Sequence, residues 1–195
     1  EKQRRSLLSA CKIANMNCMT LINSTTAAAI AYCKIHSDRL PVDSPVPICF
    51  IDFGNSSMNV AIALVKQGSV NIKSFADDAT IGGSNFTISL LNYLLEKVKN
   101  TYKIDPTTNP RAMVNFRNAV EKLKKTLSIN TIVQFELPNL MNDIDVRFQV
   151  KRDEFNDQIQ DLISKITAPI DSALEKAGIK KEDLFAVEFL GGGSR

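Results

Sequence analysis

Residues Cys49-Phe50-Ile51-Asp52-Phe53-Gly54-Asn55-Ser56-Ser57, CFIDFGNSS, form an apolar run that ends on an aspartate and a turn of small polar residues. Continuous hydrophobicity through ICFIDF is the pattern of a central strand covered on both faces. At its end an ionised Asp52 is costly to bury unless a cation or hydrogen-bond donors meet it. Two readings follow. One is a structural aspartate satisfied by turn amides; the other is a carboxylate beside a magnesium ion and its waters. A single D-x-G turn favours the first.

Working outward, MNVAIALV, the turn Lys66-Gln67-Gly68-Ser69 and VNIKSFA predict consecutive antiparallel strands. Upstream, three prolines between Ser37 and Pro47 mark a connection. Before it, Ser24-Thr25-Thr26 precede AAAIAYC, a helix that hydroxyl residues can cap and whose alanines admit a neighbouring backbone. The spacing of Leu7, Leu8, Cys11 and Ala14 predicts a helix over 1–14, and NCMTLIN at 17–23 predicts a short strand.

After Gly82-Gly83, residues Phe86, Leu90, Leu91, Leu94, Leu95 and Val98 trace an amphipathic helix, which DPTTNP ends. A second helix is expected from Arg111 to Ser128, then strands at IVQFEL and DIDVRFQV. Another helix begins near Asp153. Ala168-Pro169 is expected to interrupt or restart it and Gly178 to stop it. Finally the strand LFAVEFL runs into Gly191-Gly192-Gly193-Ser194-Arg195. The order of elements is mixed α/β.

With 195 residues, 44% of them hydrophobic and 23% charged, the chain can bury a core as one globular unit with subdomains. A net charge of +3, with only short basic clusters such as Lys122-Leu123-Lys124-Lys125, argues against a nucleic-acid partner. No apolar run is long enough to span a membrane, and the charged start EKQRRS does not resemble a signal peptide, so we expect a soluble intracellular chain with no membrane partner. Its start at Glu1 and its end inside a glycine turn suggest a piece of something longer. Cys11, Cys18, Cys33 and Cys49 form no C-x-x-C pair and have only His36 as a candidate imidazole partner, so free thiols are expected rather than a zinc site. The N-x-S/T triplets at Asn23, Asn55 and Asn85 read as accidental.

Of the eight glycines, Gly68 and Gly178 suit a turn and a helix stop. The other six, Gly54, Gly82, Gly83, Gly191, Gly192 and Gly193, fall in three loops near strand ends or helix starts, where backbone N–H groups can approach a ligand. Glu121, Lys124, Lys125 and Ser128 share one helix face. That face suits either a solvated row of Glu–Lys pairs or a clasp on a nucleoside; the glycine loops favour the clasp.

QRRSLLSACKIANMN, NSTTAAAIAY, IDFGNSSMNVAI, TIGGSNF, AVEKLKKTLS and VEFLGGGSR occur in the order found in the nucleotide-binding domain of the seventy-kilodalton heat-shock chaperones. The resemblance spans nearly the whole chain. DFGNSS, YKIDPTTNPRA, EKLKK and MNDIDV resemble in particular the larger hundred-and-ten-kilodalton relatives. It implies an actin-like ATPase fold with a ribonuclease-H-like sheet and two lobes around a nucleotide cleft. Residues 1–41 then look like a remnant of the first lobe, 42–80 and 160–195 like the base of the second, and 81–159 like its upper subdomain.

The implied cofactors are ATP or ADP and Mg2+. Asp52 matches the family aspartate that reaches magnesium through water, and Gly54, Asn55, Ser56 and Ser57 match the second phosphate loop. Gly82 and Gly83 match a loop over the phosphates. Glu121, Lys124, Lys125 and Ser128 match the adenosine clasp, with Gly191, Gly192, Gly193 and Arg195 on the other side of that pocket. Departures fall mainly on the phosphate side. Asn55 and Ser56 replace glycines, Ser24 stands for a glutamate and Asn59 for an aspartate; each of the last two swaps removes a carboxylate that could order water or take a proton. Lys125 replaces an arginine whose flat guanidinium packs on adenine.

The expectation is therefore a cytoplasmic nucleotide exchange factor and holdase that serves a seventy-kilodalton chaperone and unfolded client proteins, with negligible ATP hydrolysis by this chain. The alternatives are a chaperone cycling on its own hydrolysis, a remote metabolite kinase, and a segment with no independent activity.

Overall fold

The computed structural model describes residues 1–194. Its centre is a four-stranded sheet in the order β3-β2-β1-β6, made by β1 (Val46–Phe53), β2 (Met58–Lys66), β3 (Ser69–Asp78) and β6 (Ala186–Leu190). The first three run antiparallel as a meander, whereas β1 and β6 are parallel. Alternation along β1 explains the continuous hydrophobicity of its sequence. Ile48 and Phe50 point to a cluster with Ala29, Cys33 and Leu40, while Cys49, Ile51 and Phe53 point to one with Ala173 and Leu174. Helix α2 (Ser24–Ile35) thus covers one face and the end of α5 (Arg152–Ala177) the other.

A second body of structure stands over one end of the sheet. In it α3 (Gly83–Tyr102), α4 (Pro110–Leu127), the hairpin of β4 (Ile132–Met141) and β5 (Ile144–Lys151), and the start of α5 share a core that includes Leu90, Leu94, Val98, Phe116, Leu123, Phe135 and Val146. Phe86 packs against this core and the sheet's cluster, with its ring edge-on to Phe53 at 5.8 Å. Since Phe53 ends β1 and Phe86 lies in the first turn of α3, this contact ties the start of α3 to the end of the sheet.

Three local expectations change. Residues 17–23 are not a strand. Among the described residues this stretch pairs with no strand, and Met19 and Ile22 are 92% and 51% exposed, so it has neither ladder nor buried face. Hydroxyls do not cap α2, whose N-cap is Asn23 with no side-chain cap bond. The groups are engaged elsewhere: Asn23 Oδ1 accepts from Arg4, and Ser24 Oγ donates to Asp52. Pro169 lies inside one continuous α5 helix and is buried there. Gly68 and Gly178 have φ of +70° and +66°, the turn and helix stop expected of them. Helix α1 (Lys2–Ile13) buries no residue, and all four cysteines are free thiols.

Candidate functional site

The three glycine loops meet at the end of β1. Gly54 N–H donates to Ser57 O at 2.9 Å and closes the turn, and two amides of the next loop dock on that turn. Gly83 N–H donates to Gly54 O at 2.9 Å and Ser84 N–H to Asn55 O at 2.7 Å. Backbone contact this close requires glycine at 82, where a Cβ would stand 2.6 Å from Asn55 O. From the other side the 191–193 turn packs on Phe53. A Cβ on Gly191 would lie 2.3 Å from Phe53 O, and one on Gly193 would lie 2.5 Å from the Phe53 ring.

Beyond this junction opens a cleft of about 330 Å³, lined by Asn55, Gly83, Phe86, Glu121, Lys124, Lys125, Ser128, Phe155, Gly192 and Gly193. All four residues of the α4 face therefore reach one space together with members of each glycine loop. Gly54, Ser56, Ser57, Gly82 and Gly191 do not line it; they form the supporting junction. Arg195 lies outside the described residues.

The α4 wall is a connected polar network. Lys124 Nζ donates to Gly83 O at 2.9 Å and Thr87 Oγ1 at 2.8 Å, and lies 3.1 Å from Glu121 Oε2. Thr87 Oγ1 also donates to Glu121 Oε2. Lys125 Nζ, on a side chain 72% exposed, stands 3.5 Å from Glu121 Oε1. Burial pushes the Glu121 carboxyl up, but the Thr87 hydroxyl and the Lys124 and Lys125 charges together outweigh it and hold the group below its ordinary value. Ser128 Oγ is exposed and donates back to Lys124 O at 3.3 Å.

The phosphate-loop candidates divide differently. The first-turn donors of α3 are consumed internally: besides Gly83 and Ser84, Gly82 N–H reaches Asn85 Oδ1 and Asn85 N–H reaches Gly82 O, each at 3.0 Å. That helix start therefore presents no unused amide to an anion. At the tip of the preceding turn, the exposed Asn55 and Ser56 N–H groups have no acceptor among the described residues. Asp52 is half-buried, and its partner is not a turn amide: Ser24 Oγ donates to Oδ2 at 2.7 Å, and Asn59 stands opposite in the β1–β2 register. Carboxylate, hydroxyl and amide oxygens are hard donors of the kind a hydrated Mg2+ accepts. Among the described residues no three metal-ligating side chains cluster, so such an ion would keep most of its waters.

The model of the Hsp70 protein family matches residues 1–195. The chain belongs to the Hsp70 family. Heat shock protein hsp88 of Neurospora crassa is 41% identical over 196 residues, covering 100% of this chain and 28% of the relative. Heat shock 70 kDa protein 14 of Arabidopsis thaliana is 40% identical over 193 residues, covering 99% and 23%. Heat shock 70 kDa protein 4 of Homo sapiens is 35% identical over 198 residues, covering 100% and 24%. The chain thus spans about a quarter of the length of the curated relatives it matches. It corresponds to a segment of the family's nucleotide-binding domain, near the hundred-and-ten-kilodalton branch, and its sheet and helices are consistent with an actin-like ATPase fold. No helix among the described residues is long and apolar enough to cross a membrane.

Sequence reasoning missed Thr87 and the aromatic lining of this Hsp70-family cleft. Thr87 is a hydroxyl on the buried stripe of α3, in line with Gly83, Leu91 and Leu94 and itself only 5% exposed. A lone polar residue on such a stripe needs a partner, and that was the available signal. Phe155 joins the cleft from the first turn of α5, too distant in sequence from the other lining residues for any local pattern to reveal.

Proposed function

We propose that this chain is part of the ATP-binding domain of a large heat-shock chaperone that acts as nucleotide exchange factor and holdase for a seventy-kilodalton chaperone. The convergence of Gly83, Lys124, Lys125, Gly192 and Gly193 on one cleft carries the reading. An open cleft with two Phe side chains, lysine stems, one carboxylate and glycine backbone in its lining suits a flat heterocycle and a hydroxyl-bearing sugar. At the turn, the Asn55 and Ser56 amides, which have no acceptor among the described residues, suit phosphate oxygens. ATP or ADP with Mg2+ is the ligand of this reading. Residues 1–41 then belong to a first lobe, 42–80 and 160–195 to the base of the second, and 81–159 to its upper subdomain. Unfolded client proteins are bound by regions not in this chain, and the site of action is the cytoplasm.

Exchange rather than turnover is favoured by the phosphate side. Ser24 donates a hydrogen bond to Asp52, so the carboxylate is already engaged; Ser24 and Asn59 supply no second base for an attacking water. Bound magnesium would supply charge neutralisation at the phosphates, which alone does not position a nucleophile. The test adds the full-length protein to a seventy-kilodalton chaperone loaded with fluorescent ADP. Accelerated release is expected, and an unchanged rate overturns the reading. The second reading, an independently cycling ATPase, rests on the retained Asp52. Single-turnover hydrolysis at a rate matching an ordinary seventy-kilodalton chaperone would establish it.

A further inference from the structure

We propose that Thr87 is a positioning residue of the cleft: its hydroxyl locks Glu121 and Lys124 to each other and to the start of α3, so that Lys124 serves as a brace and Glu121 Oε1 is the oxygen left for a ligand. The proposal rests on the nucleotide reading above and deepens it.

An ammonium has three N–H donors. Lys124 has three acceptors, Gly83 O at 2.9 Å, Thr87 Oγ1 at 2.8 Å and Glu121 Oε2 at 3.1 Å. Two hydrogen bonds and a close ion pair thus engage the ammonium within the wall itself. A threonine hydroxyl has one hydrogen, and two acceptors compete for that of Thr87: Gly83 O at 3.1 Å and Glu121 Oε2. The ionised carboxylate makes the stronger, charge-assisted bond and takes it. Thr87 thereby donates to Glu121 while accepting from Lys124, and the three side chains close a ring. Glu121 Oε2 takes the Thr87 hydrogen bond and the Lys124 ion pair, whereas among the described residues Oε1 has only the exposed Lys125 at 3.5 Å. The ring is also attached to backbone. Through Gly83 O it fixes the residue whose N–H docks on Gly54, and so couples the α4 wall to the turn after β1.

The function of Lys124 thus differs from what its place on the α4 face suggests. On that face the exposed cation is Lys125, 72% exposed against 16% for Lys124.

The experiment uses the full-length protein, with ATP affinity measured by calorimetry and melting temperature measured without nucleotide. T87V keeps the volume and removes the hydroxyl; it is expected to weaken ATP binding roughly tenfold. T87S restores the hydroxyl and is expected to bind within about twofold of the parent. The decisive arm is a cycle with Glu121→Ala. If Thr87 acts through Glu121, T87V costs no further affinity in that background. Additive losses overturn the proposal because Thr87 then acts independently of Glu121, and a T87S defect equal to that of T87V overturns it because packing rather than the hydroxyl then matters. T87A in the same cycle serves if T87V melts below the assay temperature. A parent protein that binds no ATP removes the nucleotide reading and this proposal with it. A parent that binds and a T87V that binds equally remove this proposal alone.

Discussion

Along the α4 wall, Glu121, Lys124 and Thr87 satisfy one another through side chains, while across the cleft the Gly82–Gly83 and Gly191–Gly193 turns meet the end of β1 and the turn after it chiefly through backbone, with the Phe53 ring against Gly193. The two walls therefore fail in different ways. A side-chain wall can lose one partner and rearrange, whereas a backbone wall at van der Waals contact has no room for even one added methyl group. Within the backbone wall the demand is uneven. Gly191 has φ +85° and sits against Phe53 O, but a Cβ on Gly192 would meet nothing within 4 Å.

The largest effect is therefore expected at Gly191. G191A combines left-handed backbone strain with a clash and is expected to cost roughly 2–5 kcal/mol in denaturant unfolding; a loss near zero would show that the turn relaxes and that the backbone wall is soft. K124M is next. It strips the brace from Gly83 O and leaves Glu121 Oε2 with one partner, for an expected loss of about 1–3 kcal/mol. If K124M stays as stable as the parent but loses ATP binding, Lys124 is a ligand and not a brace.

Acid should act on the side-chain wall before the backbone wall. Because the folded Glu121 carboxyl is held below its ordinary value of about 4.5, its contribution to stability is complete above that value and is lost as pH falls through the lower folded one. The stability difference between the parent and E121Q is expected to be constant near neutrality and to shrink below pH 4.5. A difference that grows toward acid would mean that folding raises, rather than lowers, the Glu121 pKa. Smallest are K125M and G192A, each expected within about 0.5 kcal/mol of the parent, since one removes an exposed ion pair and the other enters open space. K125M is nevertheless expected to weaken ATP binding, which separates a ligand-facing lysine from a bracing one.

Much of the fold was legible because period-2 and period-3.6 apolar patterns survive in the chain. The meander at 46–78 and the α3 stripe from Leu90 to Val98 follow them directly. Residues 17–23 misled because alternation describes a face without supplying a partner strand. At α2, intrinsic capping preference yielded to tertiary partners: Arg4 takes Asn23 and Asp52 takes Ser24. Pro169 misled for a related reason, since packing against the sheet holds α5 continuous through a residue that removes one backbone bond.

By itself the sequence determined which residues alternate into the core, where the chain turns on glycine, and which polar groups share the α4 face, because these depend on local geometry that repeats every two or 3.6 residues. Tertiary structure alone decided that three loops separated by many residues close on Phe53 and Gly54. It also decided that Gly83, Thr87 and Glu121 engage Lys124, while Lys125, one position along, stays exposed beside Glu121 Oε1. Hydrogen-bond satisfaction depends on which groups packing brings within about 3 Å, and no spacing along the chain specifies that.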